Sequence, residues 1–148
     1  MSHPAELPST LTRSPSFQIE RVRRHTKDEV ERTLAKHGST MREYWILSCV
    51  MERGLSQRQL SEMLIIDASD MVRLIDSLEA HEWVKRDRDP DDRRRQIVTP
   101  TKKGAKAHAS LIEEVAAAED RALDKSTTKQ LKSIKQLAKA IVAEEGDS

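Results

Sequence analysis

Apolar residues recur at helical spacing along most of the chain and shift to short strand-like runs in one region only. From Ser16 to Lys36 there is neither proline nor glycine, and Phe17, Val22, Val30 and Leu34 form a sparse apolar stripe among charges. That stretch predicts a long helix, closed by Gly38 as its C-terminal cap. Thr40 then caps a second helix, "MREYWILSCVMER", with Glu43 completing a capping box. This helix is apolar nearly all round, which predicts burial, and Gly54 ends it. In "LSQRQLSEMLI", Ser56 reads as an N-cap, and Leu60, Met63 and Leu64 keep helical spacing. After a brief break at "IIDAS" comes "SDMVRLIDSLEAH", with Met71, Leu74 or Ile75, and Leu78 three and four residues apart. Two short helices with so brief a joint must cross steeply, as in a helix-turn-helix.

Beyond it, "WVKRDR" and "RQIVTPT" read as two strands joined at "DPDD", where Pro90 between aspartates signals a turn. Thr101 opens a helix from Lys102 to about Leu123. A last helix, "DKSTTKQLKSIKQLAKAIVAEE", lines up Leu131, Ile134, Leu137, Ala138 and Ile141 on one face. The predicted fold is mainly α: a winged helix-turn-helix with a two-stranded wing and dimerisation helices at both termini. Its expected parts are a flexible arm (1–15), an N-terminal dimerisation helix (16–38), a DNA-binding winged helix-turn-helix (40–104) and C-terminal dimerisation helices (105–146). The terminal helices are assigned to a homodimer because their apolar faces have no evident use within one chain.

Composition narrows the function. The chain has 148 residues with 36% hydrophobic, 3% aromatic and 34% charged, a polar balance suited to a helical protein with much surface. Its net charge of +1 gives no hint of a polyanionic partner, but the distribution does. Between Val84 and Gly104 eight Lys/Arg face four Asp, a local +4 that leaves the remainder near −3. A basic patch on a near-neutral body suits directed phosphate binding. A single cysteine, Cys49, excludes an intramolecular disulfide framework and fits a reducing cytoplasm. No apolar run reaches membrane-spanning length, and "MSHPAELPSTLTRSPS" lacks the basic start and apolar core of a signal peptide, so a cytoplasmic protein is expected. The five histidines are scattered, and no metal-ligand spacing, glycine-rich phosphate loop or Ser/His/Asp order is present. No catalytic residue, metal or cofactor is expected, and the chain does not read as an enzyme.

With these elements placed, the chain resembles the MarR family of bacterial transcription regulators from about Phe17 to Ile141. The likeness is carried best by "LSQRQLSEMLIIDASDMVRLIDSLEAHEWVKRDRDPDDRRRQIVTPTKKG". Pro90, Asp92-Arg93-Arg94, Thr101 and Gly104 stand in that family's order and spacing. Two positions depart from it. Glu82 stands where the family usually has glycine after the recognition helix; a left-handed backbone there costs about 1 kcal/mol relative to Gly. Pro100 stands where leucine is commoner and lacks a ladder donor, so its strand is expected at a sheet edge.

On "DASDMVRLIDSLEA", Ser69, Asp70, Arg73 and Ser77 are expected to face outward, toward a major groove. Arg73 suits bidentate contact with guanine, and Asp70 either accepts from a cytosine amino group or caps the helix. The wing's Arg94 is expected in the minor groove, where the potential is most negative, with Asp92 holding its guanidinium from the same side of a strand. The resemblance marks that Asp-x-Arg pair as the family's wing feature. Arg86, Arg88, Arg93 and Arg95 are expected on phosphates, with Ser56, Gln57 and Arg58 at the start of the third helix. The partner is then double-stranded DNA with a pseudo-palindromic operator, read by a homodimer. The resemblance further implies a repressor released by a small phenolic or anionic effector, in a region lined by Phe17, His25, Tyr44 and Trp45. Two other readings are a helical protein-interaction module and a thiol-based redox sensor acting through Cys49.

Overall fold

Residues 5–146 are described by the structure, a computed structural model. Its elements in chain order are α1 (Ser9–Thr12), α2 (Pro15–Ala35), α3 (Met41–Glu52), β1 (Leu55–Ser56), α4 (Gln57–Leu64), α5 (Ala68–Ala80), β2 (Val84–Arg88), β3 (Gln96–Pro100), α6 (Lys102–Ala122) and α7 (Thr128–Gly146). Residues 1–4 of the expected flexible arm lie outside the described residues, and the rest of it is not wholly loose. Pro8 starts a single helical turn, α1, and Gln18 Nε2 donates to the Thr12 carbonyl at 2.7 Å, tying that turn to α2.

Local capping sets the helix ends. Gly38 has φ +69°, and Ser39 N–H donates to the Leu34 carbonyl at 3.1 Å, a left-handed close to α2. Only half of the expected box forms at α3: Thr40 Oγ1 accepts from Glu43 N–H at 3.2 Å, but the Glu43 carboxylate takes the Ser39 hydroxyl instead, at 3.1 Å. Complete boxes occur where none was expected. Ser56 and Gln59 exchange bonds of 3.1 and 2.8 Å, and Thr127 and Gln130 exchange bonds of 3.1 and 2.9 Å.

Helices α4 and α5 join through three residues, with Ile65 left-handed at φ 54°, a strained place for a β-branched side chain. The core lies between this pair, α3, the sheet and the inner faces of α2 and α6. Leu34, Ile46, Leu47, Leu60, Met71, Ile75, Leu78 and Leu111 are all within 2% of complete burial. Helix α3 is less enclosed than its composition suggests. Ile46, Leu47 and Val50 are buried, whereas Trp45 is 41% exposed.

The sheet has three strands, not two, in the order β1-β3-β2. Leu55 and Ser56 pair antiparallel with Val98 and Ile97, and β2 pairs from Val84↔Pro100 to Arg88↔Gln96. So β3 is central, which corrects the expectation that Pro100 demands an edge strand. Thr101 N–H donates to the Trp83 carbonyl at 3.0 Å. By the alternation of antiparallel ladders, Pro100 then turns its nitrogen to the β1 side, beyond the paired residues of β1. No donor is missed.

Glu82 does adopt the left-handed backbone, at φ 63°. Its carbonyl accepts from Thr101 Oγ1 at 2.5 Å, and its carboxylate makes only an exposed contact with Lys103. Glu82→Gly should therefore raise stability by about 1 kcal/mol, or about 2–4 °C in melting temperature. An unchanged or lower midpoint in a thermal melt followed by circular dichroism would contradict this.

Helix α2 packs along α6, where Arg121 donates to Glu29 at 2.8 Å and to the Thr33 hydroxyl at 3.1 Å. Helix α7 is different. It contributes no buried residue, and Leu131, Ile134, Leu137, Ile141 and Val142 are all exposed.

Candidate nucleic-acid interface

Helix α5 projects from the core on Met71, Ile75 and Leu78, so the opposite face is turned out. Ser69, Val72, Arg73 and Asp76 are exposed on it, and Asp70 is half-buried. Ser77, expected to face outward, is half-buried on the flank; Val72 and Asp76 hold the exposed positions instead. The N-cap is Asp67, whose Oδ1 accepts from Asp70 N–H at 2.9 Å and from the Ser69 hydroxyl at 2.8 Å. Those bonds, the Asp70 N–H first, hold the Asp67 carboxyl below the ordinary aspartate range. Asp70 is thus not the cap. It accepts from Arg73 one turn later.

The wing tip, residues 89–95, is a loop, not a strand. Asp92 nevertheless holds Arg94 as expected: its Oδ1 accepts from the Arg94 backbone N–H at 3.1 Å and from Nε at 3.2 Å. The arginine side chain itself stays 91% exposed. Asp89, which sequence reasoning did not single out, braces the base of the loop. It is 5% exposed, accepts from Asp91 N–H at 2.9 Å and takes Arg95 Nε at 2.6 Å. These bonds, the Asp91 N–H foremost, lower its pKa, so the bracing is present at neutral pH and lost as pH falls through the lowered value. An aspartate two residues before an N–H it accepts is an Asx turn, and "DPDD" carried that signal.

Between this wing and the start of α4 lies a cleft of about 740 Å³, lined by Ser56, Gln57, Arg58, Arg86, Arg88, Asp92 and Arg93 through Arg95. Six arginines against one aspartate make it the basic face that the charge count implied. Their roles divide, however. Arg88 and Arg93 make no ion pair among the described residues, and Arg58 reaches only Glu62 on its own helix, at 3.2 Å. Arg95 is tied to Asp89. Arg86 is not free for phosphate at all: its side chain is 17% exposed, pairs with Glu79 and with Asp76 at 2.8 Å, and so pins β2 to α5. Ser56 is also corrected, since its hydroxyl is buried in the capping box.

The four residues expected around an effector do not share one cavity. Phe17 is half-buried under Arg21, 5.0 Å from its ring centre, and His25 is exposed. Tyr44 stacks on His108 of α6 at 5.7 Å, and burial pushes its hydroxyl pKa up. Only Trp45 lines an open cleft, of about 540 Å³, together with Arg23 and Lys27 of α2, Arg42, and Leu74 of α5. Cys49 is half-buried, and burial pushes its thiol pKa up, away from the reactive thiolate. Among the described residues no helix is long and apolar enough to cross a membrane.

A helix pair joined by three residues, a three-stranded sheet whose β2–β3 hairpin carries an acid-held arginine at its tip, and helices flanking both sides define a winged helix-turn-helix fold. A sequence model of the MarR family matches residues 37–95. Among solved structures, a MarR-family transcriptional regulator from Rhodococcus sp. RHA1 superposes with TM-score 0.84 at 25% identity, covering 91% of this chain and 96% of that one. Residues 37–95 thus resemble the MarR family, and the chain shares the fold of a MarR-family transcriptional regulator. The same fold is seen in CouR from Rhodococcus jostii RHA1 bound to p-coumaroyl-CoA (TM-score 0.80, 23% identity, 91% and 96% covered). It recurs in a mutant MarR from E. coli complexed with operator DNA (TM-score 0.76, 20% identity, 90% and 94% covered). No curated protein matches the chain.

Proposed function

We propose that this protein is a homodimeric, sequence-specific regulator of transcription that binds double-stranded DNA and represses its own or a neighbouring gene. The observation that carries this reading is Arg94, held by Asp92 yet 91% exposed, on a wing whose β2 is pinned to α5 through Arg86. That geometry supports helix α5 in the major groove and Arg94 in the adjoining minor groove. Arg88, Arg93, Gln57 and Arg58 then meet phosphates, and Ser69, Asp70, Arg73 and Val72 meet base edges. The second copy is argued from α7. Its exposed Leu131, Ile134, Leu137 and Ile141 stripe, with Ile19 and Val22 of α2 also exposed, is an apolar surface that a monomer leaves in water. One α5 reads too few base pairs to specify a site; two related by a two-fold axis read half-sites about 10 base pairs apart. Release by a small anionic aromatic ligand fits the Trp45 cleft, where Arg23, Lys27 and Arg42 outnumber the one acid, Glu31, which accepts from the Met41 N–H.

The test is fluorescence anisotropy with a duplex selected by the protein from a random pool, measured across salt concentrations and paired with light scattering. A dimer with steeply salt-dependent binding is expected. Arg88→Ala should weaken binding evenly across sequences and flatten the log–log salt slope by about one unit per protomer. A monomer, or a protein that ignores every duplex at low ionic strength, would overturn the reading in favour of a protein-interaction module.

A further inference from the structure

A polyanion is met here by an acidic helix end. The start of α5 carries two carboxylates, Asp67 at the N-cap and Asp70 in the first turn, on the element that faces DNA in the function proposed above, and the inference rests on that reading. Asp67 is committed to capping. Asp70 is not, and its two oxygens go to two different cations: Oδ1 takes Arg73, and Oδ2 lies 3.5 Å from Arg42 NH1.

Arg42 belongs to neither the recognition helix nor the wing. It sits in the first turn of α3, with its side chain half-exposed, and it lines a small cavity with Asp67 and Asp70. Two cations on one carboxylate matter because Arg73 cannot both hold Asp70 and reach a base. Were Arg73 the only partner, its departure would leave an unpaired negative charge facing the duplex. With Arg42 in place the carboxylate stays neutralised when Arg73 swings out. We propose that Arg42 is a positioning residue for DNA reading, acting through Asp70 to release Arg73 toward the bases. Arg42 also forms part of the wall of the Trp45 cleft, so that cleft and the reading helix share one side chain.

A double-mutant cycle on the selected duplex tests this, because the proposal concerns a coupling and not a contact. Arg42→Gln should weaken binding about fivefold, while Arg42→Lys, which keeps the charge, should stay within about twofold of the parent. In an Asp70→Asn background Arg42→Gln should change affinity by less than about twofold, since no charge is left to neutralise. Thermal melts should superimpose on the parent's, because Asp67 and not Asp70 caps α5, and Asp70→Ser provides a second background of the same kind. Equal weakening by Arg42→Gln in both backgrounds would make Arg42 a direct phosphate contact and overturn the proposal, as would parental affinity of Arg42→Gln. If the parent binds no duplex, the function itself is wrong and this inference falls with it; if the parent binds and the cycle shows no coupling, only the inference falls.

Discussion

Gly104→Ala is expected to lower stability by about 3 kcal/mol, near the top of the usual range for overpacking, and the melting temperature by about 6–12 °C. Gly104 sits in the first turn of α6, where its backbone N–H donates to Thr101 Oγ1 at 2.9 Å. A Cβ built there would lie 1.9 Å from the Trp83 carbonyl oxygen and 2.7 Å from its carbon, both backbone atoms. That oxygen is already committed to Thr101 N–H, and Thr101 Oγ1 donates to the Glu82 carbonyl. The start of α6 is therefore stitched to the segment that follows α5 with no slack. Helix propensity argues the other way, favouring alanine over glycine by about 1 kcal/mol. The two effects differ in sign, so one thermal melt decides between them. A rise in midpoint would mean that α6 slides freely away from Trp83, and the wing would then lack the fixed base that its function requires.

Features set by neighbours in sequence are legible in the residues alone. The left-handed closure at Gly38 follows from a glycine at the end of its helix, and the Asp92–Arg94 pair is a contact between residues two apart; the same backbone at Glu82 is suggested only by the glycine usual there in the family it resembles. The order of α2 to α7 and of the β2–β3 hairpin is equally plain, because those helices each have an apolar period of their own; α1 and β1 are not announced in this way. What stays hidden depends on distant partners. Strand β1 is two residues long and pairs with Ile97 and Val98, about forty positions away, so no local alternation announces it. Arg86 reads like its arginine neighbours until the fold brings Asp76 and Glu79 of α5 against it. Tyr44 and Trp45 are adjacent in sequence, yet on a helix adjacent residues diverge by about 100°, so one meets α6 and the other opens to the α2 side. A count of aromatics by segment puts them in one pocket; helical geometry separates them.

Arg94→Ala should weaken binding to the selected duplex about 100-fold and flatten the salt slope by about two units per dimer, because each protomer loses the one cation that the proposed reading puts in the minor groove. The magnitude exceeds that for Arg88 because the two arginines act differently. On the proposed reading Arg88 offers a charge to a phosphate that every sequence presents, whereas Arg94, held by Asp92, enters a groove whose width varies with sequence. Arg94→Ala should therefore also erase preference at the base pairs flanking each half-site, and Arg88→Ala should not. Asp92→Asn separates aim from charge. Removing an acid makes the face one unit more basic per protomer, which by itself strengthens binding to any duplex. A neutral amide oxygen in place of the carboxylate also loosens the hold on a guanidinium that sits 3.2 Å away, which weakens binding where groove shape matters. Non-specific affinity should rise while affinity for the selected duplex falls, so the ratio of the two drops by about tenfold. If both affinities rose together, Arg94 would be acting as an unaimed charge, and the carboxylate beside it would have no part in recognition.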